Sequence, residues 1–265
     1  MDNRPVGIFD SGMGGLTAMK ALQELLPKEN IVFFGDTGRL PYGEKTREQV
    51  RRMALQNLSL VAEYDVKAVL VACGTISSNA ADLLEQSAIP AFGVLKAGVA
   101  GMQKLPGGGP LGVIATEASI RSGAYTRALQ AACPGREIIA VSCPDFVPLI
   151  ESGHSGAEDP LVRKAVARYL APIRGADGLL LGCTHYGIIA QALRDYLGPK
   201  TALVSASTCG AAQLCQYLIE NGLTGGSGQE RFLTSGSAAA FAGTAAAFLG
   251  HSLHSPVESV PCMEI

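Results

Sequence analysis

One pattern occurs twice in this chain and restricts its fold more than any other. Residues 68–75 read Ala-Val-Leu-Val-Ala-Cys-Gly-Thr, and residues 178–185 read Gly-Leu-Leu-Leu-Gly-Cys-Thr-His. Each is a short apolar run closed by a small residue, a cysteine and a nearby threonine. Such runs, bounded by turn residues, suit strands buried on both faces of a parallel sheet. The first copy continues through Ser77, Ser78 and Asn79 into a helix-like stretch at 80–84, the second through a similar stretch at 188–193. Cys73 and Cys183 are therefore predicted at the carboxyl ends of strands, just ahead of helix N-termini. Open α/β sheets hold their ligands there, and the helix dipole and free N–H groups favour a thiolate. A single strand-end cysteine is more often a small buried hydrophobe. Its repetition in the same local context points instead to a site entered from two sides.

The composition narrows the class. The 265 residues are 48% hydrophobic and 17% charged, with 32 glycines, so a large core is available for one big domain or two ordinary ones. A net charge of −2 argues against a nucleic-acid footprint or a basic membrane face. The seven cysteines, at 73, 133, 143, 183, 209, 215 and 262, include no C-x-x-C pair, which argues against a disulfide framework and for a reducing cytoplasm. The four histidines (154, 185, 251, 254) show no zinc-site spacing with them. No signal pattern opens the chain. The apolar stretch at 238–249 is too short to span a bilayer and is broken by Gly243 and Thr244. The expectation is a soluble cytoplasmic protein.

Along the chain, strands are predicted at 6–10, 31–34, 89–94, 111–116, 138–141, 203–204 and 231–234 besides the two cysteine units. Helices are predicted at 16–26, 44–64, 119–129, 146–151, 161–170 and 209–220, with an Ala-rich one capped by Ser237. This alternation predicts α/β architecture: two similar doubly wound domains, mostly parallel, facing each other across a cleft. Residues 1–95 with 206–265 would form the domain carrying Cys73, and residues 96–205 the one carrying Cys183. The glycine turn after Asp10 lacks the full G-x-G-x-x-G because Thr17 stands at its last position, so a dinucleotide site is not supported. Asp10 either caps that turn or points into the site, to hold an ammonium group or raise a neighbour's basicity. The 39–43 loop is either a plain turn or offers the Gly43 N–H and the Tyr42 hydroxyl to an anion. His185 is either a catalytic neighbour of Cys183 or a satisfied half-buried histidine.

These motifs together resemble the glutamate racemases of the aspartate/glutamate racemase superfamily. The stretches that carry the resemblance are 9–12 (Phe-Asp-Ser-Gly), 35–37 (Gly-Asp-Thr), 41–43 (Pro-Tyr-Gly), 73–75 (Cys-Gly-Thr), 143–149 and 182–186 (Gly-Cys-Thr-His-Tyr), in family order over nearly the whole chain. The resemblance implies a cofactor-independent proton transfer at Cα by two cysteines on opposite faces of glutamate. It also implies D-glutamate supply for peptidoglycan, a homodimer, and a C-terminal tail that completes the first domain. By the family's pattern Cys73 takes the proton from D-glutamate and Cys183 from L-glutamate, with Asp10, His185 and Glu151 assisting. Ser11, Pro41, Tyr42, Gly43, Gly74, Thr75, Thr116 and Thr184 match substrate-binding positions, as do Asp10 and His185.

The chain departs from the family at three places. Gly74 replaces the usual Asn, Gly187 a usual Pro, and Ser205 a common Asp. Loss of a charge-assisted hydrogen bond is worth roughly 1.5–3 kcal/mol, so Gly74→Asn is expected to raise kcat/KM by about tenfold. Gly74 also keeps two other readings open: a racemase for a different acidic amino acid, or a weakened homologue with a binding role. The 9–12 opening argues against the first, and the intact Cys73, Cys183, Asp10 and His185 against the second.

Overall fold

The computed structural model describes residues 1–261 and Glu264, so Cys262 lies outside the described residues. Ten strands appear in chain order: β1 (Val6–Asp10), β2 (Ile31–Gly35), β3 (Ala68–Val71), β4 (Ala91–Gly93), β5 (Leu111–Ala115), β6 (Ile138–Ser142), β7 (Gly178–Leu181), β8 (Ala202–Ser205), β9 (Glu230–Thr234) and β10 (Val257–Ser259). They form a six-stranded sheet, order β10-β9-β2-β1-β3-β4, and a four-stranded one, order β6-β5-β7-β8. All recorded pairings are parallel. Every residue of β1, β2, β3, β5 and β7 is buried, as continuous apolar strands covered on both faces require.

The repetition seen in the sequence is also a repetition of register. Val71 of β3 pairs with Phe9 of β1, and the next amide, Ala72 N–H, donates to the Phe9 carbonyl at 2.9 Å. Leu181 of β7 pairs with Ile114 of β5, and Gly182 N–H donates to the Ile114 carbonyl at 2.8 Å. Each cysteine therefore leaves its sheet one residue beyond the same hydrogen bond. β9 and β10 add to the outer edge of the first sheet beside β2, so the tail returns to that sheet. The division expected at 95 and 206 falls in the helices Val94–Gln103 and Ala206–Glu220, which pack against each other between the sheets. One apolar core runs continuously through both halves.

Two predicted elements differ, and two observed ones, the helix Val94–Gln103 and β10, were not predicted. The 119–129 helix is two, Glu117–Arg121 and Ala124–Ala132, because Gly123 at φ 66° breaks the run in the left-handed region. The 209–220 helix begins at Ala206, where Ser205 accepts the Thr208 N–H at 3.3 Å as its cap. β10 was not predicted: its three residues carry no alternation strong enough to read.

An ion pair that water does not reach fixes the crossover back to the first sheet. Lys67 Nζ and Glu29 Oε2 stand 2.5 Å apart, both side chains almost fully buried. Lys67 also donates to the carbonyls of Asp2 (2.8 Å) and Gly225 (3.2 Å), and Glu29 Oε1 accepts the Gly225 N–H at 2.8 Å. Removing one member strands the other charge in a dry site, which costs about 3–5 kcal/mol. Lys67→Ala should lower the urea-unfolding free energy by about that amount; a loss under about 1 kcal/mol would show that the pair does not hold this crossover.

Candidate active site

β1 and β3 are neighbours, so the residues leaving their carboxyl ends emerge together. Cys73 follows β3 in extended backbone (φ −91°, ψ 118°) and the helix Gly74–Asn79 starts directly after it. Beside it the Asp10 carboxylate is fully buried at the end of β1. Its Oδ1 accepts the Ser11 N–H at 2.7 Å and the Ser11 hydroxyl at 3.3 Å, and its Oδ2 accepts the Gly15 N–H at 2.5 Å. The Cys73 thiol donates to Ser11 Oγ at 3.5 Å. In the second sheet Cys183 leaves β7 in the same extended form (φ −119°, ψ 137°), followed by the short turn Thr184–Gly187. His185 on that turn places Nδ1 3.8 Å from Cys183 Sγ and Nε2 3.1 Å from Glu151 Oε1, the last residue of the helix Phe146–Glu151.

The two groups are tied across the cleft. Thr184 donates to Asp10 Oδ2 at 3.1 Å, and Thr75 and Thr116 share a hydroxyl hydrogen bond at 2.9 Å. Between them lies a cavity of about 330 Å³ whose wall contains Cys73, Cys183, Asp10, His185 and Glu151. Ser11, Pro41, Tyr42, Gly43, Gly74, Thr75, Thr116 and Thr184 complete the set nominated from sequence, and all of it lines this one cavity. Leu40, Glu44, Glu117, Cys143, Pro144, Val147 and Pro148 were missed. The first three adjoin nominated residues directly, and the others lie in a stretch carrying the resemblance. No lysine or arginine stands among the lining residues. Apart from His185, the donors available to a carboxylate ligand are neutral N–H and O–H groups, and an ammonium group meets several acids. Among the described residues no group of three His, Cys, Asp or Glu is placed to hold a metal ion, and no helix is long and apolar enough to cross a membrane.

Comparison with known proteins agrees with this geometry. The family model for Asp/Glu/hydantoin racemases matches residues 13–214. The glutamate racemase of Chlorobaculum tepidum is 41% identical over 223 residues, 83% of this chain and 81% of that protein. That of Streptococcus pneumoniae serotype 19F is 35% identical over 260 residues, 96% and 98% of the two chains. The crystal structure of the Francisella tularensis glutamate racemase in complex with D-glutamate superposes with a TM-score of 0.90 at 34% identity, covering 99% of each chain. The chain belongs to the Asp/Glu/hydantoin racemase family. It is an amino-acid racemase, an isomerase.

For a racemase the contrast between the two thiol environments matters. Burial pushes the Cys73 thiol well above its ordinary value, and the negative charge of Asp10 adds to this. Burial opposes a charge on His185. Its hydrogen bonds to Cys183 and Glu151 and the nearby charges of Cys183 and Asp10 outweigh that, and raise it from 6.5 to about 10. Phe248 of the C-terminal helix Ala238–Leu249 packs edge-on against the imidazole, 5.6 Å between ring centres. Nothing in the local sequence marked that contact.

Two sequence expectations are corrected. The Tyr42 hydroxyl is not offered to an anion: it donates to the buried Asp36 carboxylate and accepts from Asn57 Nδ2 at 3.2 Å, leaving Tyr42 2% exposed. A phenol between a buried carboxylate and a buried amide is better satisfied there than at an open cleft. The expected gain from Gly74→Asn also fails on geometry. A Cβ built on Gly74 overlaps the Gly182 carbonyl oxygen, so the cleft floor is built around the glycine. Gly74→Asn should therefore lower kcat/KM for the racemase reaction by about tenfold or more, since small displacements of reacting groups are costly; a gain would restore the amide reading.

His185 also has a pH signature. The folded chain keeps it protonated to about pH 10, whereas the unfolded chain does so only below 6.5. Its contribution to stability is then complete below pH 6.5 and is lost as pH rises toward 10. His185→Gln should flatten the decline in urea-unfolding free energy over that interval. Equal slopes in parent and variant would show that the imidazole is not held charged.

Proposed function

We propose that this racemase interconverts L- and D-glutamate by two-base proton transfer at Cα, with Cys73 and Cys183 on opposite faces of the substrate. The observation that carries the reading is the pair of thiols leaving two sheets at equivalent registers into one cavity. The similarity to glutamate racemases over nearly the full chain supports glutamate as the substrate.

In the L-to-D direction the Cys183 thiolate takes the Cα proton. The electron pair of the broken C–H bond is delocalised onto the α-carboxylate, and the Cys73 thiol delivers its proton to the other face. Cys73 suits this acid role because burial and Asp10 favour its neutral form. The His185 imidazolium, oriented by Glu151, is an N–H donor beside the Cys183 sulfur. In the reverse direction Cys73 is the base, and the Asp10 charge makes its thiolate more basic. Ser11, Thr75, Thr116, Thr184 and the Gly43 backbone supply neutral hydrogen-bonding groups for the carboxylates, and the acids on the wall favour the ammonium group. Thiols furnish both acid and base, so the reading needs no pyridoxal phosphate, metal or nucleotide. A cytoplasmic setting, a homodimer and a place in cell-wall precursor synthesis belong to the same reading, supported by the resemblance alone.

Proton NMR in D₂O tests it. The Cα signal of either glutamate enantiomer should disappear with inversion after exhaustive dialysis against chelator. Cys73→Ser and Cys183→Ser should each lower racemisation by at least about 10²-fold, the usual contribution of a positioned acid or base. Near-parental turnover in either variant would overturn the two-base reading. Activity lost on dialysis and restored by an added cofactor would overturn its cofactor independence.

A further inference from the structure

Next to the two thiols the halves meet closely at one backbone carbonyl, that of Gly182. Gly182 precedes Cys183 and Gly74 follows Cys73, so the contact joins the immediate neighbours of both thiols. A Cβ on Gly74 would overlap the Gly182 oxygen and stand 3.0 Å from its carbonyl carbon. Only glycine lets the peptide of the second sheet come this close to the first. The same oxygen accepts the Tyr125 hydroxyl at 3.0 Å, from the helix Ala124–Ala132 of the second half. Tyr125 is 1% exposed, its hydroxyl lies 3.3 Å from the would-be Gly74 Cβ, and the residue is absent from the cavity wall. At Gly182 itself a Cβ would stand 3.0 Å from Tyr125 Cζ, so the ring also closes against that peptide.

We propose that Tyr125 is a positioning residue of the racemase. Its hydroxyl, the Gly182 carbonyl and the Cβ-less face of Gly74 form a gauge that sets the separation of the two thiols across the substrate's α-carbon. A phenol kept only to fill the core would not need its hydroxyl aimed at the residue before Cys183. Here the hydroxyl holds the carbonyl from one side while Gly74 receives it from the other. The peptide that orients Cys183 is thereby referenced to the peptide that orients Cys73. Proton transfer at both faces requires both distances to be right at once, and a displacement near 1 Å costs about 10²-fold in rate. The inference rests on the two-thiol reading above.

Tyr125→Phe keeps the ring and removes the hydroxyl. We expect kcat to fall at least about tenfold in both directions with KM within about threefold, because the hydroxyl acts through Gly182 and not on the substrate. Gly74→Ala should act in the same direction. The double variant should lose less than the product of the two single losses, since both act through one carbonyl. Alkylation of Cys73 and Cys183 by iodoacetamide, followed peptide by peptide by mass spectrometry, reads the thiol seats without reference to turnover. Tyr125→Phe should change the rate at one of them by at least about threefold. A Tyr125→Phe kcat within twofold of the parent, or a loss carried wholly by KM, would overturn the proposal. If the parent does not act on glutamate, the substrate reading falls and the alkylation rates alone decide: a changed rate supports the gauge and unchanged rates overturn it.

Discussion

Asp10 carries a carboxylate buried at the wall of the cavity, and the donors that hold it are neutral N–H and O–H groups. A buried anion in that position is tolerable only if hydrogen bonds replace its hydration. Two backbone amides and two hydroxyls do so, and the Thr184 hydroxyl comes from the opposite sheet. The glycine turn that the sequence presents as an incomplete nucleotide loop thus has a different use: Gly15 brings its N–H to the carboxylate at 2.5 Å. Gly14 allows Thr184 and His185 to come close enough that any Cβ there would overlap them. The satisfaction of one charge and the closure of the cleft are the same set of contacts.

That closure creates the difference between the two thiols. Equivalent registers deliver Cys73 and Cys183 as near repeats, yet Cys73 faces an anion and Cys183 faces an imidazole backed by Glu151. A racemase needs a proton donor on one face while the other face takes a proton, so two chemically identical groups in identical surroundings would be poorly matched to the reaction. The repeated strand supplies the symmetry of position, and the unlike neighbours break the symmetry of charge. The neutral character of Cys73 and the charge on His185 share one cause, because the Asp10 carboxylate favours the proton on both.

The residues that misled are instructive. Tyr42 lines the cavity, but its hydroxyl belongs to the buried network of Asp36, Arg39 and Asn57 that anchors the 40–43 loop. A turn of Pro, Tyr and Gly reads the same whichever way the phenol points. Gly74 reads as the loss of a side chain. In the fold it admits the carbonyl of Gly182, 108 positions later in the chain and just past the end of β7. Tyr125 and Phe248 carry no local mark at all, because their importance comes from what they touch across long sequence separations.

The amino-acid sequence by itself determined the α/β class, most of the strands, the two cysteines at strand ends and the roll of residues around the cavity. These follow from local causes: apolar runs that must be covered on both faces, turn residues that end them, and family motifs confined to short stretches. Tertiary structure alone decided which way polar side chains turn and how closely the two halves approach. A buried hydroxyl or carboxylate takes whichever partner satisfies it, and a glycine admits whichever backbone arrives. Both are settled only when distant segments meet.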